Sequence, residues 1–184
     1  MPKLVLKMQM SLDGFAARLD GDVGFIFTSM DEALTYWIVQ DIWKAGLHIM
    51  GRRTYEDMAA WWPKSSEPFA APMNMIPKAV FSDTLEEAHW GPVTVIRGDL
   101  AAGIAHVKTQ SDKDIYAHGG AGFARALVAA DLVDEYHLIT HPVVLGRGLA
   151  VFSGGGARDL ELVESKSFPG GAIASIYRPA KETR

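Results

Sequence analysis

The chain has 184 residues, 48% hydrophobic and 22% charged, with a net charge of −4 and a pI near 5.8. That length and composition fit one soluble globular domain, residues 1–184, with a core of its own. The acidic balance excludes a chain-wide field for nucleic acid or an acidic membrane surface, and the absence of cysteine excludes disulfides and thiolate metal sites. No secretory pattern precedes the first strand-like run and no apolar stretch approaches the roughly 20 residues of a membrane helix, so the expected compartment is the cytoplasm.

The first element, Lys3 to Met10, is an apolar run with alternation and reads as a buried strand ended by Ser11-Leu12-Asp13-Gly14. Glycines 14, 21 and 24 make the segment to Thr28 a loop. Ser29-Met30-Asp31-Glu32 reads as a capping box, and the helix it opens runs to about Lys44 and stops at Ala45-Gly46. Leu47 to Met50 is a strand and Thr54 to Ala60 a short helix. The prolines at 63, 68, 72 and 77 make Trp61 to Ile76 a long loop, an active-site flap or surface loop rather than a linker. Ala79 to Phe81 and Val93 to Ile96 are strands, Asp99 to Lys108 a helix, Ile115 to Ala117 a strand and Ala121 to Ala130 a helix. Tyr136 to Leu145, Leu160 to Phe168 and Ala172 to Tyr177 are strands parted by glycine-rich turns. Alternation of strand and helix predicts an α/β fold with a mainly parallel central sheet and helices on both faces; the final run of strands predicts antiparallel additions at one edge.

Two junctions carry the most chemistry. Gly51-Arg52-Arg53-Thr54-Tyr55 follows the strand at Leu47, and His118-Gly119-Gly120-Ala121-Gly122-Phe123-Ala124-Arg125 follows the strand at Ile115. Each reads as strand, glycine turn, helix, which aims free N–H groups and the positive helix end at one point. Two such turns would grip the two ends of a dinucleotide. Arginine at a helix start opposes the macrodipole. Arg52 and Arg53 are therefore either solvated helix-start residues or readers of the 2′-phosphate of NADP.

Other candidates have plainer readings. Ser82, Asp83 and Thr84 either contact a nucleotide ribose or cap a helix begun by Thr84 and Glu87. His118-Gly119-Gly120 is like an esterase oxyanion motif, but the chain has no Gly-x-Ser-x-Gly elbow, and His118 reads as a turn residue. His137 and His141 lie in a strand pattern, where four residues span roughly 13 Å, too far for two ligands of one metal. No metal is expected. Trp37, Trp43, Trp61, Trp62 and Trp90 read as core or pocket wall.

Lys7-Met8-Gln9-Met10-Ser11-Leu12-Asp13-Gly14 resembles the opening strand and turn of the reductase domain of the bifunctional riboflavin-biosynthesis deaminase/reductase. Met50-Gly51-Arg52-Arg53-Thr54-Tyr55-Glu56 is similar to the Gly-Arg-x-Thr turn which that domain shares with dihydrofolate reductases. Gly119-Gly120-Ala121-Gly122 resembles its second pyrophosphate turn, and Asp131 to Glu135 and Pro142 to Gly146 resemble its late strands. The resemblance covers nearly the whole chain in order. It implies a dihydrofolate-reductase-like fold, NADPH as cofactor, a small-molecule substrate and a homodimer paired through the late strands. Gly51, Arg52, Arg53, Thr54 and Ser82 would hold the adenosine side, and Gly119, Gly120, Ala121, Gly122 and Phe123 the pyrophosphate. Met10 and Ser11 would face the nicotinamide. Asp13, Tyr36 and Trp37 would line the substrate pocket, with Asp13 and Tyr36 as catalytic candidates.

Two departures bear on substrate. The helix carboxylate of dihydrofolate reductase is replaced, by counting, with Thr35, and no arginine stands between Ser29 and Lys44 to hold a substrate phosphate. Without cysteine, the zinc ligands of the deaminase half have no counterpart. The expected activity is hydride transfer from NADPH to a pyrimidine- or pterin-like heterocycle or a carbonyl compound, related to 5-amino-6-(5-phosphoribosylamino)uracil reductase. Dihydrofolate and the phosphoribosyl pyrimidine are both expected to be weak substrates. The alternatives are a dihydrofolate reductase or a non-catalytic nucleotide-binding protein on the same fold.

Overall fold

The structure is a computed structural model and describes residues 1–180. The first strand, β1 (Leu4–Ser11), lies near the middle of an eight-stranded sheet. After the short β2 (Phe15–Ala17) and a 3-10 turn at Gly24–Ser29 come α1 (Glu32–Ile42), β3 (Leu47–Gly51), α2 (Arg52–Trp61), α3 (Ala70–Met75), β4 (Lys78–Phe81) and β5 (Val93–Ile96). Then follow α4 (Leu100–Gln110), β6 (Ile115–His118), α5 (Ala121–Ala129), β7 (Glu135–His141), β8 (Leu149–Ala150), β9 (Leu160–Ser167) and β10 (Ile173–Pro179). The sheet order is β5-β4-β3-β6-β1-β7-β10-β9, and β2 pairs with β8 in a separate ribbon. Among the described residues, no helix is long and apolar enough to cross a membrane.

Successive side chains of a strand face opposite ways, and β1 builds two cores by that rule. Leu4, Leu6, Met8 and Met10 pack with Ile104 and Val107 of α4 and Ala124, Leu127 and Val128 of α5. Val5, on the opposite face, packs with Leu34, Ile38 and Ile42 of α1, Tyr55 of α2 and Met73 of α3. The helices thus cover both faces, as the alternating pattern predicts. Pairings from β5 across to β7 are all parallel, while β10 runs antiparallel to β7 and to β9.

Five expectations need correcting. The strand expected at Tyr136 to Leu145 ends at His141 before Pro142, which has no amide to donate. It is parallel to β1, because α5 makes a crossover from β6, so the antiparallel part begins only at β10. Asp31, not Ser29, caps α1: its carboxylate accepts from the Leu34 amide at 2.8 Å. The proline-rich loop contains α3, whose Pro72 sits in the first turn where its missing N–H costs nothing. No helix starts at Thr84. Ser82 Oγ instead accepts from the Thr84 and Leu85 amides, and Arg97 donates to the carbonyls of Asp83 and Leu85.

Candidate cofactor and substrate site

Parallel neighbours β3 and β6 send their helices to opposite faces, α2 to one and α5 to the other. That divergence opens a crevice at the carboxyl ends of the strands, the place where open α/β sheets bind ligands. The two glycine turns, 68 residues apart in sequence, meet in it. A Cβ on Gly120 would stand 2.5 Å from Thr54 Oγ1, and one on Gly51 would stand 3.3 Å from Phe123 Cβ. Gly120 also has φ +75° and Gly119 φ +31°, a backbone that side-chain-bearing residues rarely adopt. Neither α2 nor α5 has a side-chain cap, so their first-turn amides are left for another acceptor.

Arg52 donates to Glu56 at 3.1 Å, whereas exposed Arg53 has no ion-pair partner among the described residues. Ser82 follows Phe81, which pairs with Gly51, so it stands beside the first turn. Ala121 is buried, Phe123 packs on Phe81 with ring centroids 5.3 Å apart, and Gly122 faces open space. This cradle fits a dinucleotide. Backbone approaches closely because side chains are absent, two helix starts converge, and arginines lie at the rim.

The residues expected on the substrate side are placed less simply. Met10 points into the core under α4 and α5. Ser11 is buried; its hydroxyl donates to Asp13 and accepts from the Phe15 amide. Asp13 also accepts from the Leu145 and Gly146 amides at 3.1 and 2.7 Å, so it clamps the 145–146 loop to the end of β1. The Ser11 hydroxyl and those amides hold its carboxyl below the usual range, which disfavours Asp13 as a proton donor. Tyr36 is 68% exposed on α1, in a shallow hollow with Asp31, Glu32, Ala33 and Pro169. Trp37 is half-buried against Phe168. Thr35 is half-buried, and Asp31 is spent on the Leu34 and Gly170 amides.

Beneath α1 lies a buried polar layer that the sequence reading missed. Lys7 Nζ donates to Asp41 Oδ2 at 2.5 Å; both side chains are at most 6% exposed. Asp41 also accepts from Tyr116 Oη at 3.2 Å and Lys44 Nζ at 3.4 Å, and His137 Nδ1 lies 3.1 Å from it. His137 Nε2 is 2.8 Å from Glu135, which accepts from Lys3. Burial pushes Lys7 down against the pull of Asp41. Burial would raise Asp41, but His137 and Lys7 outweigh it and hold the carboxyl well below the carboxylate range.

His118, the last residue of β6, is not a free turn residue. Its Nε2 lies 2.8 Å from His48 Nδ1, and His48 Nε2 has no hydrogen-bond partner among the described residues. Burial and the Lys78 charge lower His48 to about 3; the Pro72 carbonyl opposes that fall without closing a full hydrogen bond. Burial and His48 push His118 well down as well. His141 is buried between Ser29 Oγ at 2.7 Å and Gln9 Oε1 at 2.9 Å, with Phe25 edge-on. Burial lowers it to about 4. A signal for this layer was present in the sequence: Lys7, Gln9 and Ser11 form a polar stripe of period two in a strand otherwise apolar enough for burial on both faces.

Comparison with known proteins agrees with this architecture. The profile described as the RibD C-terminal domain matches residues 2–174. The protein YyaP of Bacillus subtilis, itself termed uncharacterized, is 26% identical over 181 residues, 95% of this chain and 94% of its own. A putative riboflavin biosynthesis protein from Shewanella sp. PV-4 superposes with a TM-score of 0.79 at 19% identity, covering 97% of this chain and 99% of that one. The diaminohydroxyphosphoribosylaminopyrimidine deaminase/5-amino-6-(5-phosphoribosylamino)uracil reductase of Thermotoga maritima superposes at 0.72 with 16% identity. That match covers 97% of this chain but 57% of the bifunctional protein.

Proposed function

The chain belongs to the RibD C-terminal domain family, and from that premise we propose that it is an NADPH-dependent reductase. Its substrate is a small pyrimidine- or pterin-like heterocycle or a carbonyl compound. The observation that carries this reading is the closure of the Gly51 and Gly119-Gly120 turns on each other, with Thr54 against Gly120 and Phe123 against Gly51. When bound, the nicotinamide supplies the hydride. The chain's own residues do the rest. The first turns of α2 and α5 would take the diphosphate, and Arg53, with Arg52 and Ser82, the adenosine 2′-phosphate. The buried layer on β1 would supply the proton. Lys7 is its candidate donor: Asp41 is the only hydrogen-bond acceptor of its three donors among the described residues.

Gly122 provides the cleanest test. A side chain there meets nothing within 4 Å in the folded protein, whereas Gly120 cannot take one without strain at φ +75° and a clash with Thr54. Gly122→Val should therefore keep the parent's unfolding transition and lose NADPH binding, read by quenching of tryptophan fluorescence. In the same assay Arg53→Ala should weaken NADPH by about 1.5–3 kcal/mol, the value of a charge-assisted bond, and leave NADH nearly unchanged. A folded Gly122→Val protein with normal NADPH affinity, or equal losses for both cofactors in Arg53→Ala, would overturn the assignment.

A further inference from the structure

A second hydrogen-bonded chain lies on the same face of β1, closer to its carboxyl end than Lys7. Ser29 Oγ is 2.7 Å from His141 Nδ1, and His141 Nε2 is 2.9 Å from Gln9 Oε1. Ser29 ends the 3-10 turn, His141 ends β7, and Gln9 belongs to β1. Ser29 and His141 are buried, His141 completely, whereas Gln9 is half-buried.

Only one arrangement of protons satisfies this chain. His141 Nδ1 is the sole hydrogen-bond partner of the Ser29 hydroxyl among the described residues. A proton on Nδ1 would make that hydroxyl the acceptor and leave its own proton buried with nothing to receive it, which is costly. Ser29 therefore donates to Nδ1, His141 carries its proton on Nε2, and Nε2 donates to Gln9 Oε1. The carboxamide of Gln9 is thus fixed with its oxygen inward and its NH2 group outward. That NH2 group has no partner among the described residues, yet the one buried side-chain atom without a partner among them is His48 Nε2. The Gln9 NH2 group is therefore open to solvent.

The end of β1 that carries Gln9 borders the crevice of the two glycine turns. β6 pairs with β1 no further than Lys7, opposite His118, and then leaves at Gly119-Gly120. Met8 to Ser11 continue past that point and pair with β7 alone. Gln9 stands two residues beyond the last β6 rung, roughly 7 Å along the strand. By the alternation of a strand it shares the face of Val5, on which α1 and α2 pack. An amide NH2 group donates and cannot accept, so whatever lies against it must offer an acceptor.

We infer that the Gln9 amide, held in place by Ser29 and His141, is a specificity-determining donor to a carbonyl oxygen of a ligand in the crevice. The inference takes its ligands from the reductase reading. Two of them offer that chemistry: the carboxamide of the nicotinamide and a ring carbonyl of a pyrimidine- or pterin-like substrate. A ring that presents an amino group at this point would set donor against donor and be disfavoured.

The test uses the full chain labelled with 15N-glutamine. Of the three glutamines, 9, 40 and 110, the last two are exposed. Gln40→Glu and Gln110→Glu therefore remove their signals and leave that of Gln9 assigned by NMR. NADP+ is added to saturation, followed by tryptophan fluorescence, and uracil is added next. The Gln9 NH2 protons should move downfield in one of these steps. Movement with NADP+ alone assigns the acceptor to the nicotinamide carboxamide, and movement only with uracil assigns it to the substrate ring. Gln9→Glu keeps an acceptor for His141 but has no NH2 group. It should raise the dissociation constant of the responding ligand by about 2–12-fold, the worth of one hydrogen bond, or more. A Gln9 signal that neither addition moves overturns the inference, as does an unchanged dissociation constant in folded Gln9→Glu protein. Where Gln9→Glu does not fold, the signal of the parent decides alone. Saturation by NADP+ with Gln9 unmoved throughout removes the inference and leaves the reductase reading. No binding of NADP+, with Gln9 still moved by uracil, removes the reading and leaves the inference.

Discussion

The two faces of β1 make a controlled comparison within one strand. Leu4, Leu6, Met8 and Met10 enter a layer under α4 and α5 whose side chains are almost all apolar. Lys7, Gln9 and Ser11 enter a layer under α1 that holds Asp41, Tyr116, His118, His137 and His141. A central strand of a parallel sheet ordinarily buries apolar side chains on both sides. Both faces carry apolar cores, but the face under α1 gives up part of that stabilisation for buried charged and hydrogen-bonding groups. Burial of this kind clusters at functional sites.

The sharpest way to break the comparison is to alter adjacent residues on opposite faces. Leu6 is fully buried, so Leu6→Ala should cost about 2–5 kcal/mol, with the spread set by how far the site can collapse. Lys7→Met should cost up to about 3–5 kcal/mol for a different reason, the loss of the nearest cation from buried Asp41, which keeps only Tyr116, His137 and the more distant Lys44. Adding Asp41→Leu to Lys7→Met should then recover part of the loss, though Tyr116 and His137 lose an acceptor. No second change should rescue Leu6→Ala in this way. Urea unfolding of the four proteins decides the matter, and a Lys7→Met protein as stable as the parent would mean that Asp41 is not left uncompensated.

Acid separates the faces without mutation. The folded-state values of His48 and His141 are lowered to about 3 and about 4, below the ordinary 6.5, so the unfolded chain binds their protons first as pH falls. Their contribution is complete above about pH 6.5 and is lost as pH drops toward 4 and 3; Asp41, also lowered, adds its loss below the normal carboxylate range. Lys78, lowered by burial to about 8, has the complementary window: stability should rise between pH 8 and 10.5, where the folded chain has released this proton and the unfolded chain still holds it. Stability measured by urea at pH 7, 5.5 and 4.5 should fall steadily, and His141→Gln should flatten the part above pH 4. A flat parent profile down to pH 4.5 would show that the histidines are not held neutral.

Much of this was legible in the sequence where a local rule decides the outcome. The strand–glycine–helix junctions at Gly51 and Gly120 were readable because turn geometry is set by adjacent residues. That both would grip one dinucleotide was expected, but their direct contact was not legible, because it depends on β3 and β6 being neighbours across 68 residues. Asp41 was passed over for the same reason. From sequence it is one acid near the end of an amphipathic helix; only the register of α1 over β1 brings it to Lys7. Ser29 was read as the cap of α1, but a partner far away in sequence, His141, takes its hydroxyl and Asp31 caps the helix instead. The direction of β7 was misjudged because a run of strands without intervening helix reads as antiparallel, while α5 had already provided the crossover.

The smallest expected effect lies outside both faces. Tyr36 was a candidate for the pocket, yet its ring is 68% exposed on α1, whose buried positions are Leu34, Ile38, Asp41 and Ile42. Removing an exposed side chain that closes no cap and fills no cavity usually changes stability by no more than about 0.5 kcal/mol. Tyr36→Ala should therefore match the parent in urea unfolding and in NADPH affinity. Trp37→Ala should not. It uncovers Phe168 and removes the ring over Lys7, so stability falls and the Lys7 titration moves. The two neighbours, one turned outward and one inward, test whether the polar face ends at α1 or extends around it. If Tyr36→Ala lowers NADPH-dependent turnover while leaving cofactor affinity and stability intact, the substrate reaches over the first turn of α1 to the hollow beside Pro169, and the pocket is wider than the buried layer alone defines.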